Sequence, residues 1–179
     1  MRVDVVQPPA LPAVSVAELQ AHARLDDTGD DADLLAKIAA AIDYVEAQTG
    51  RALVTRTVRE SGQGWPESGR ALLAVSPVIS VSSVTVDGQA LAASAYFLAG
   101  DTLVIPGGVD AASKVVVEYL AGYGASPASA PADLRQAVLM VAAHWLRSRE
   151  GVTVEGDQVL TELPHSVTAI LARRGRFFL

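Results

Sequence analysis

The chain has no cysteine among its 179 residues. Disulfides and thiolate metal centres are thereby excluded, which fits a reducing compartment. Aromatic residues are scarce, at 5%, and lysine occurs twice, as Lys37 and Lys114. No apolar run approaches the ~20 residues that a membrane-crossing helix needs. Met1-Arg2-Val3-Asp4 leads into no long apolar core of the kind that marks a signal peptide. These absences predict a soluble chain made in the cytoplasm, with no membrane partner. Acid is missing from the end of the chain: after Glu162 there is none, while Arg173, Arg174 and Arg176 remain. The net charge is −6, and the acids crowd the first third, from Asp4 and Glu18 through Asp26, Asp27, Asp30, Asp31 and Asp33 to Asp43, Glu46 and Glu60. Tight, nonspecific DNA binding depends on cations that release counterions, so an acidic chain poor in lysine is ill suited to it.

Half of the residues are apolar, with alanine and valine prominent. A chain of this length buries roughly 70% of its unfolded surface and needs no covalent staples. The first fourteen residues are Pro-rich and read as an extended arm. Ser15 and Glu18 have capping-box spacing, which predicts a short helix from Val16 to about Arg24. An acidic turn from Asp26 to Asp33 follows. Leu34, Leu35, Ile38, Ile42 and Val45 form the stripe of a second helix, which Gly50 ends. The period then changes to two. Val54, Arg56 and Val58 alternate with Thr55, Thr57 and Arg59, a pattern suited to a strand. Further strands are predicted over 71–75, 78–86, 96–99, 103–105 and 114–120, with Pro77 as a break. Asp87-Gly88 and Gly107-Gly108 with Asp110 supply turns. The expectation is five to seven short, mostly antiparallel strands, because the connections are too short for helical crossovers.

The most regular segment follows a small-residue linker. Pro131 suits a first helical position, Asp133 faces the positive end of the helix dipole, and Leu134, Val138, Val141, Trp145 and Leu146 share a face. Arg147 and Arg149 fall in the last turn and Gly151 is a candidate cap. Residues 151–162 read as a loop or hairpin. A last helix begins near Pro164, carried by Val167, Ile170 and Leu171. The fold class expected is α+β: a helical core with an inserted antiparallel β-rich region. The division is 1–53 for the arm and helices, 54–121 for the β-rich insertion, and 122–179 for the long helix, loop, C-terminal helix and tail, all within one connected domain.

Reaction chemistry finds little footing. The acidic turn lacks the ligand spacing of a calcium loop and suits a solvated turn that caps the second helix. His22, His144 and His165 form no His-x-x-x-His pair, and His144 beside Trp145 reads as structural. No Gly-x-Ser-x-Gly elbow, phosphate-binding loop or dinucleotide fingerprint is present. We therefore expect no enzyme, no metal and no cofactor. The C-terminal tail is different. Arg173, Arg174 and Arg176 followed by Phe177, Phe178 and Leu179 can anchor in a partner's apolar groove, with the arginines steering at the rim. The same basic end keeps open an alternative, a small nucleic-acid-binding module.

The order of words along the chain carries a resemblance. Pro131-Ala132-Asp133-Leu134-Arg135-Gln136-Ala137, then His144-Trp145, then Arg147-Ser148-Arg149-Glu150, is similar to the long helix of the phage head–tail connector family, also called adaptor or head-completion proteins. Val14 to Asp26, Ala40 to Leu53, Val117 to Gly124 and Leu163 to Val167 resemble further pieces of that family, in order. After His-Trp the family often has an aromatic or polar residue, where this chain has Leu146-Arg147, a change at a packing position. The resemblance implies a structural protein of tailed phages or gene transfer agents that forms a ring of about twelve copies beneath the portal. Its implied partners are the portal protein and a tail-side connector, the stopper or tail terminator. DNA would pass through the ring without specific binding, and an acidic wall would help it slide. Assembly would take place in the host cytoplasm, and the finished protein would sit at the head–tail interface. The resemblance also implies that the C-terminal part engages the portal.

Overall fold

The computed structural model describes residues 1–25, 31–147 and 164–175. It has an α+β fold, in two compact units. One is Met1–Ala10 with Gly50–Ser126; the other comprises the described parts of Leu11–Thr49 and Pro127–Leu179.

The first unit holds eight strands: β1 (Arg2–Gln7), β2 (Arg56–Gly62), β3 (Arg70–Leu72), β4 (Val78–Val86), β5 (Gln89–Ala90), β6 (Phe97–Ala99), β7 (Thr102–Val104) and β8 (Val115–Ala121). Five make a sheet in the order β1-β2-β8-β4-β5, and three make a second in the order β3-β7-β6. Every strand pairing is antiparallel, and the two-residue links β4–β5 and β6–β7 form hairpins. The count exceeds the five to seven expected, because the two-residue β5 and the N-terminal β1 carry too little pattern to announce themselves. Of the arm expected over the first fourteen residues, Arg2 to Gln7 form a strand hydrogen-bonded along β2 and go with the β-rich unit.

β8 is central, and its alternation sets the core. Val115, Val117, Tyr119 and Ala121 are buried, while Val116, Glu118 and Leu120 are half-exposed. Val58, Trp65, Leu73, Val84, Leu103 and Ile105 complete the cluster. Glu60, 1% exposed, is the charged residue of this interior. A buried carboxylate requires partners, and it has them. The Tyr119 hydroxyl and the Ala74 N–H, the latter at 2.5 Å, both donate to Glu60 Oε1, and the Val75 N–H donates to the Tyr119 oxygen at 3.1 Å. Side chains of β2 and β8 thus fix the chain leaving β3.

Two turns show why particular residues stand where they do. Asp87 and Gly88 both have positive φ, 51° and 82°, the geometry of a tight hairpin turn between β4 and β5. At Gly69, φ is +67° and any Cβ would lie 2.1 Å from the Ile105 carbonyl oxygen, so only glycine fits.

The second unit contains helices α1 (Val16–Ala23), α2 (Asp31–Thr49), α3 (Ala132–Arg147) and α4 (His165–Arg174). The capping box forms as its spacing predicts. The Ser15 N–H donates to Glu18 Oε2 at 2.8 Å, and the Glu18 N–H donates to Ser15 Oγ at 3.3 Å. α1 ends one residue earlier than expected, because Arg24 takes a left-handed conformation at its cap. The buried face of α3 is Leu134, Ala137, Val138, Val141, Ala142 and Ala143. Trp145 and Leu146, expected on that face, are only half-buried. The alanines displace them, since small side chains let neighbouring helices approach closely. The Trp145 ring instead meets Tyr44 of α2 edge-on, with centroids 5.8 Å apart at 79°.

Candidate partner-binding surface

Two ion pairs organise the helical unit. Arg135, the arginine of the Leu-Arg-Gln-Ala word, reaches back to the start of the chain. Its Nε donates to the Ala13 carbonyl at 3.1 Å and its Nη2 to Glu18. Glu18 thus serves both the cap of α1 and the pin to α3. The Ser15 N–H leads in holding the Glu18 carboxyl below its usual range; partial burial opposes this, and the Ser15 hydroxyl and Arg135 add to it.

The second pair seats α4. Arg174 donates from Nε to Asp133 Oδ2 at 2.7 Å and from Nη2 to Asp133 Oδ1 at 3.1 Å, a bidentate contact. Burial pushes the Asp133 carboxyl up, but the hydrogen bonds and charge of Arg174, with the Leu134 N–H, outweigh it and leave the group below its ordinary value. Asp133 therefore does more than face the α3 dipole.

Of the six tail residues read as an anchor, two lie in the described chain. Arg173 is exposed in the last turn of α4. Arg174 is half-buried against Asp133 and is committed to α4 packing. Arg176, Phe177, Phe178 and Leu179 lie outside the described residues, as do Asp26, Asp27, Asp30, Arg149, Gly151 and the loop over 151–162. Asp31 and Asp33 stand in the first turn of α2, favoured by its dipole. His22 and His144 lie in the last turns of α1 and α3, and His165 opens α4. Among the described residues, no group of His, Asp and Glu is clustered to hold a metal ion, and no helix is long and apolar enough to cross a membrane.

Sequence reading missed both pins, because the partners are 117 and 41 residues apart. A signal existed for one of them: Arg135 directly follows the buried Leu134 at the start of α3, where a long cation can reach back across the helix start. It also missed the outer face of the five-stranded sheet, a shallow, open depression. There Arg59 holds Glu118, Arg2 holds Asp4 at 2.9 Å, and Lys114 stands at the rim. Opposite charges are interleaved, which suits a contact surface more than a pocket for a single charged ligand.

Helices pinned by charged pairs and a sheet with one open, mixed-charge face define a class of α+β proteins suited to contact with other chains. The family model for head completion proteins matches residues 13–173, and the chain belongs to that family. Similar chains are found in solved structures of gene transfer agent (GTA) particles. One, from the virion of a native GTA particle, is 26% identical, with a TM-score of 0.79 and coverage of 100% of this chain and 97% of that one. Another, from the neck of an empty GTA particle computed with C6 symmetry, is 28% identical with a TM-score of 0.78 and the same coverage. A third, from the neck of a native GTA particle computed with C12 symmetry, is 25% identical with a TM-score of 0.76, again with that coverage. No curated protein matches the chain significantly. The head–tail connector resemblance carried by the α3 words therefore holds, and the protein is of a structural kind found in particle necks.

Proposed function

We propose that copies of this chain assemble as a ring beneath the portal of a tailed phage or phage-derived particle, extend the DNA channel, and offer the surface on which the tail-side connector docks. The observation that carries this reading is full-length similarity to chains in GTA necks, two of them computed with C6 and C12 symmetry. A repeating head-to-tail contact closes into a ring when the rotation per copy divides the circle, and about twelve copies would match C12. DNA would pass without specific binding, in keeping with a net charge of −6. Assembly would occur in the host cytoplasm before the protein takes its place at the head–tail interface.

In this reading the portal is met by the C-terminal end, through Arg173 and the segment Arg176, Phe177, Phe178 and Leu179. Arg174 belongs to the fold through Asp133, so deleting 173–179 would disturb α4 as well as the tail. The cleaner cut removes 176–179 alone. The test combines the purified chain, whole or cut, with the portal protein, and reads mass by light scattering and shape by negative-stain imaging. A ring stacked on the portal is expected for the whole chain, and loss of portal binding with unchanged circular dichroism for the cut one. A whole chain that stays monomeric and ignores the portal would overturn the ring reading. Full portal binding by the cut chain would overturn the tail's role.

A further inference from the structure

The five-stranded sheet ends in two edges of different character. At one end lies β1, whose outer side meets no strand among the described residues. Exposed edges are usually blunted by charged side chains, proline or bulges. Arg2–Gln7 contains no proline, its charges Arg2 and Asp4 pair with each other at 2.9 Å, and its one bulge falls between Val5 and Gln7, leaving the backbone of residues 2–5 regular and open. Three valines stand out from this strand, Val3, Val5 and Val6, at 42%, 51% and 45% exposure. At the other end, β5 covers only Thr85 and Val86 of β4, and Leu91 bonds Val84. Residues 79–83 of β4 have no strand on the side away from β8 among the described residues; the register shifts at Val78/Ser80 and Val81/Ser83 bend this edge locally, and Ile79 is 48% exposed there.

We propose that these two edges meet between copies: β1 of one copy adds to residues 79–83 of β4 in the next. Three features select a second copy as the occupant. The first is direction. Neighbours in the order β1-β2-β8-β4 are all antiparallel, so β1 and β4 run in opposite senses. A copy continuing the sheet therefore brings β1 against β4 antiparallel without being turned over. The second is length, since the open part of β4 spans about what β1 can pair. The third is chemistry. Residues 79–83, Ile-Ser-Val-Ser-Ser, carry no charge to oppose Arg2 or Asp4, and Ile79 meets the valine end of β1 when Val3 stands opposite Ser82. Strand addition of this kind draws on main-chain hydrogen bonds, with the side chains setting register. The contact joins two different edges, so it repeats from copy to copy and suits a closed ring. It rests on the ring reading above and names the surfaces that make the ring.

The absence of cysteine gives the test a clean background. Directly opposed antiparallel residues have Cα atoms about 4.5–5.5 Å apart, within disulfide reach. In the full chain, Val3→Cys is combined in turn with Val81→Cys, Ser82→Cys and Ser83→Cys, which covers a slip of one residue either way. Assembled particles are isolated, oxidised mildly and run without reductant. The proposal expects at least one double variant to shift most of the chain into a ladder of covalent multiples, with Val3→Cys alone staying monomeric. Particles whose necks show an intact ring of this protein, but whose double variants all run as monomer, would overturn the edge contact and leave the ring reading standing. Necks with no ring of this protein would overturn both.

Discussion

The helical and β-rich units reach order by opposite routes. In the helical unit the interior is aliphatic and small, with Leu134, Ala137, Val138, Val141 and Ala142 along one face of α3, and the specific contacts are charged and partly exposed: Arg135 on Glu18, Arg174 on Asp133. In the β-rich unit the specific contact is inside. Glu60 and Tyr119 are both buried, and they hold the backbone of Ala74 and Val75. Exposed pairs contribute typically below ~1 kcal/mol each, whereas a buried group that loses its partner costs about 1–3 kcal/mol or more. The lesson is that burial, not the number of polar links, sets sensitivity: the β-rich unit has exposed pairs too, but its vulnerability is concentrated at the buried Glu60–Tyr119 contact.

That contrast breaks hardest at Tyr119. Replacing Tyr119 with Ala removes a fully buried ring from the central strand and leaves Glu60 without its hydroxyl donor, so a loss of about 3–5 kcal/mol is expected in urea unfolding, at the level of large aromatic truncations. Tyr119→Phe keeps the ring and removes only the hydroxyl, with an expected cost of about 1–3 kcal/mol. Amide exchange should quicken at Ala74 and Val75, the segment the pair holds. Equal stability of Tyr119→Phe and the parent chain would mean that the buried pair is not the β-rich unit's sensitive point.

Trp145 sharpens the comparison from the helical side. A fully buried tryptophan would cost as much as Tyr119 on truncation. Its half-burial lowers the expectation for Trp145→Ala to about 1–2 kcal/mol, of which the edge-on contact with Tyr44 accounts for about 0.5–1.5 kcal/mol. Tyr44→Ala should lose a similar amount, and the double variant should lose less than the sum, since the two rings share one contact. A cost near that of Tyr119→Ala would erase the distinction between the units.

Legibility in the sequence follows the same divide. Helix starts and stops are written locally: Ser15 with Glu18, Asp133 in a first turn, Gly50 after α2. Each depends on neighbours within a turn, so each is readable, and α1, α2 and α4 fall close to where the pattern puts them. Asp87-Gly88 is equally local and holds. The β-rich unit depends on distant partners. Nothing around Val3 or Val5 announces that they pair with Glu60 and Val58. The register shifts of β4 at Val78–Ser80 and Val81–Ser83 break the alternation that a reader would use, and the division into two sheets leaves no mark on spacing. Glu60 was the available clue, two residues after Val58 on a strand of period two, hence a charge on the buried face. At the C-terminal end, the basic run that includes the exposed Arg173 was legible from composition. The engagement of Arg174 by Asp133 was not, because a charge run looks the same whether its members face solvent or a carboxylate 41 residues away.

The smallest effect concerns the two exposed pins, and it carries a sign. Asp133 and Glu18 are both held below their ordinary values of 3.8 and 4.5. The native chain therefore binds fewer protons at these groups than the unfolded one. Their contribution is fully present above those ordinary values and is lost as pH falls through the lower folded-state values. With side chains about 40% exposed on Glu18, Asp133 and Arg174, solvent screening keeps each below ~1 kcal/mol. Asp133→Asn should accordingly lower stability slightly at pH 7, by less as the pH falls below 3.8, and so flatten the acid limb, read as urea midpoint against pH. The same substitution removes the bidentate contact that Arg174 makes with Asp133 in the last turn of α4. If that turn presents Arg173 to a partner, Asp133→Asn should weaken portal binding by more than its stability loss implies, and charge restored by Asp133→Glu should recover part of it. A portal affinity that follows stability alone would show that the pin serves the fold and nothing beyond it.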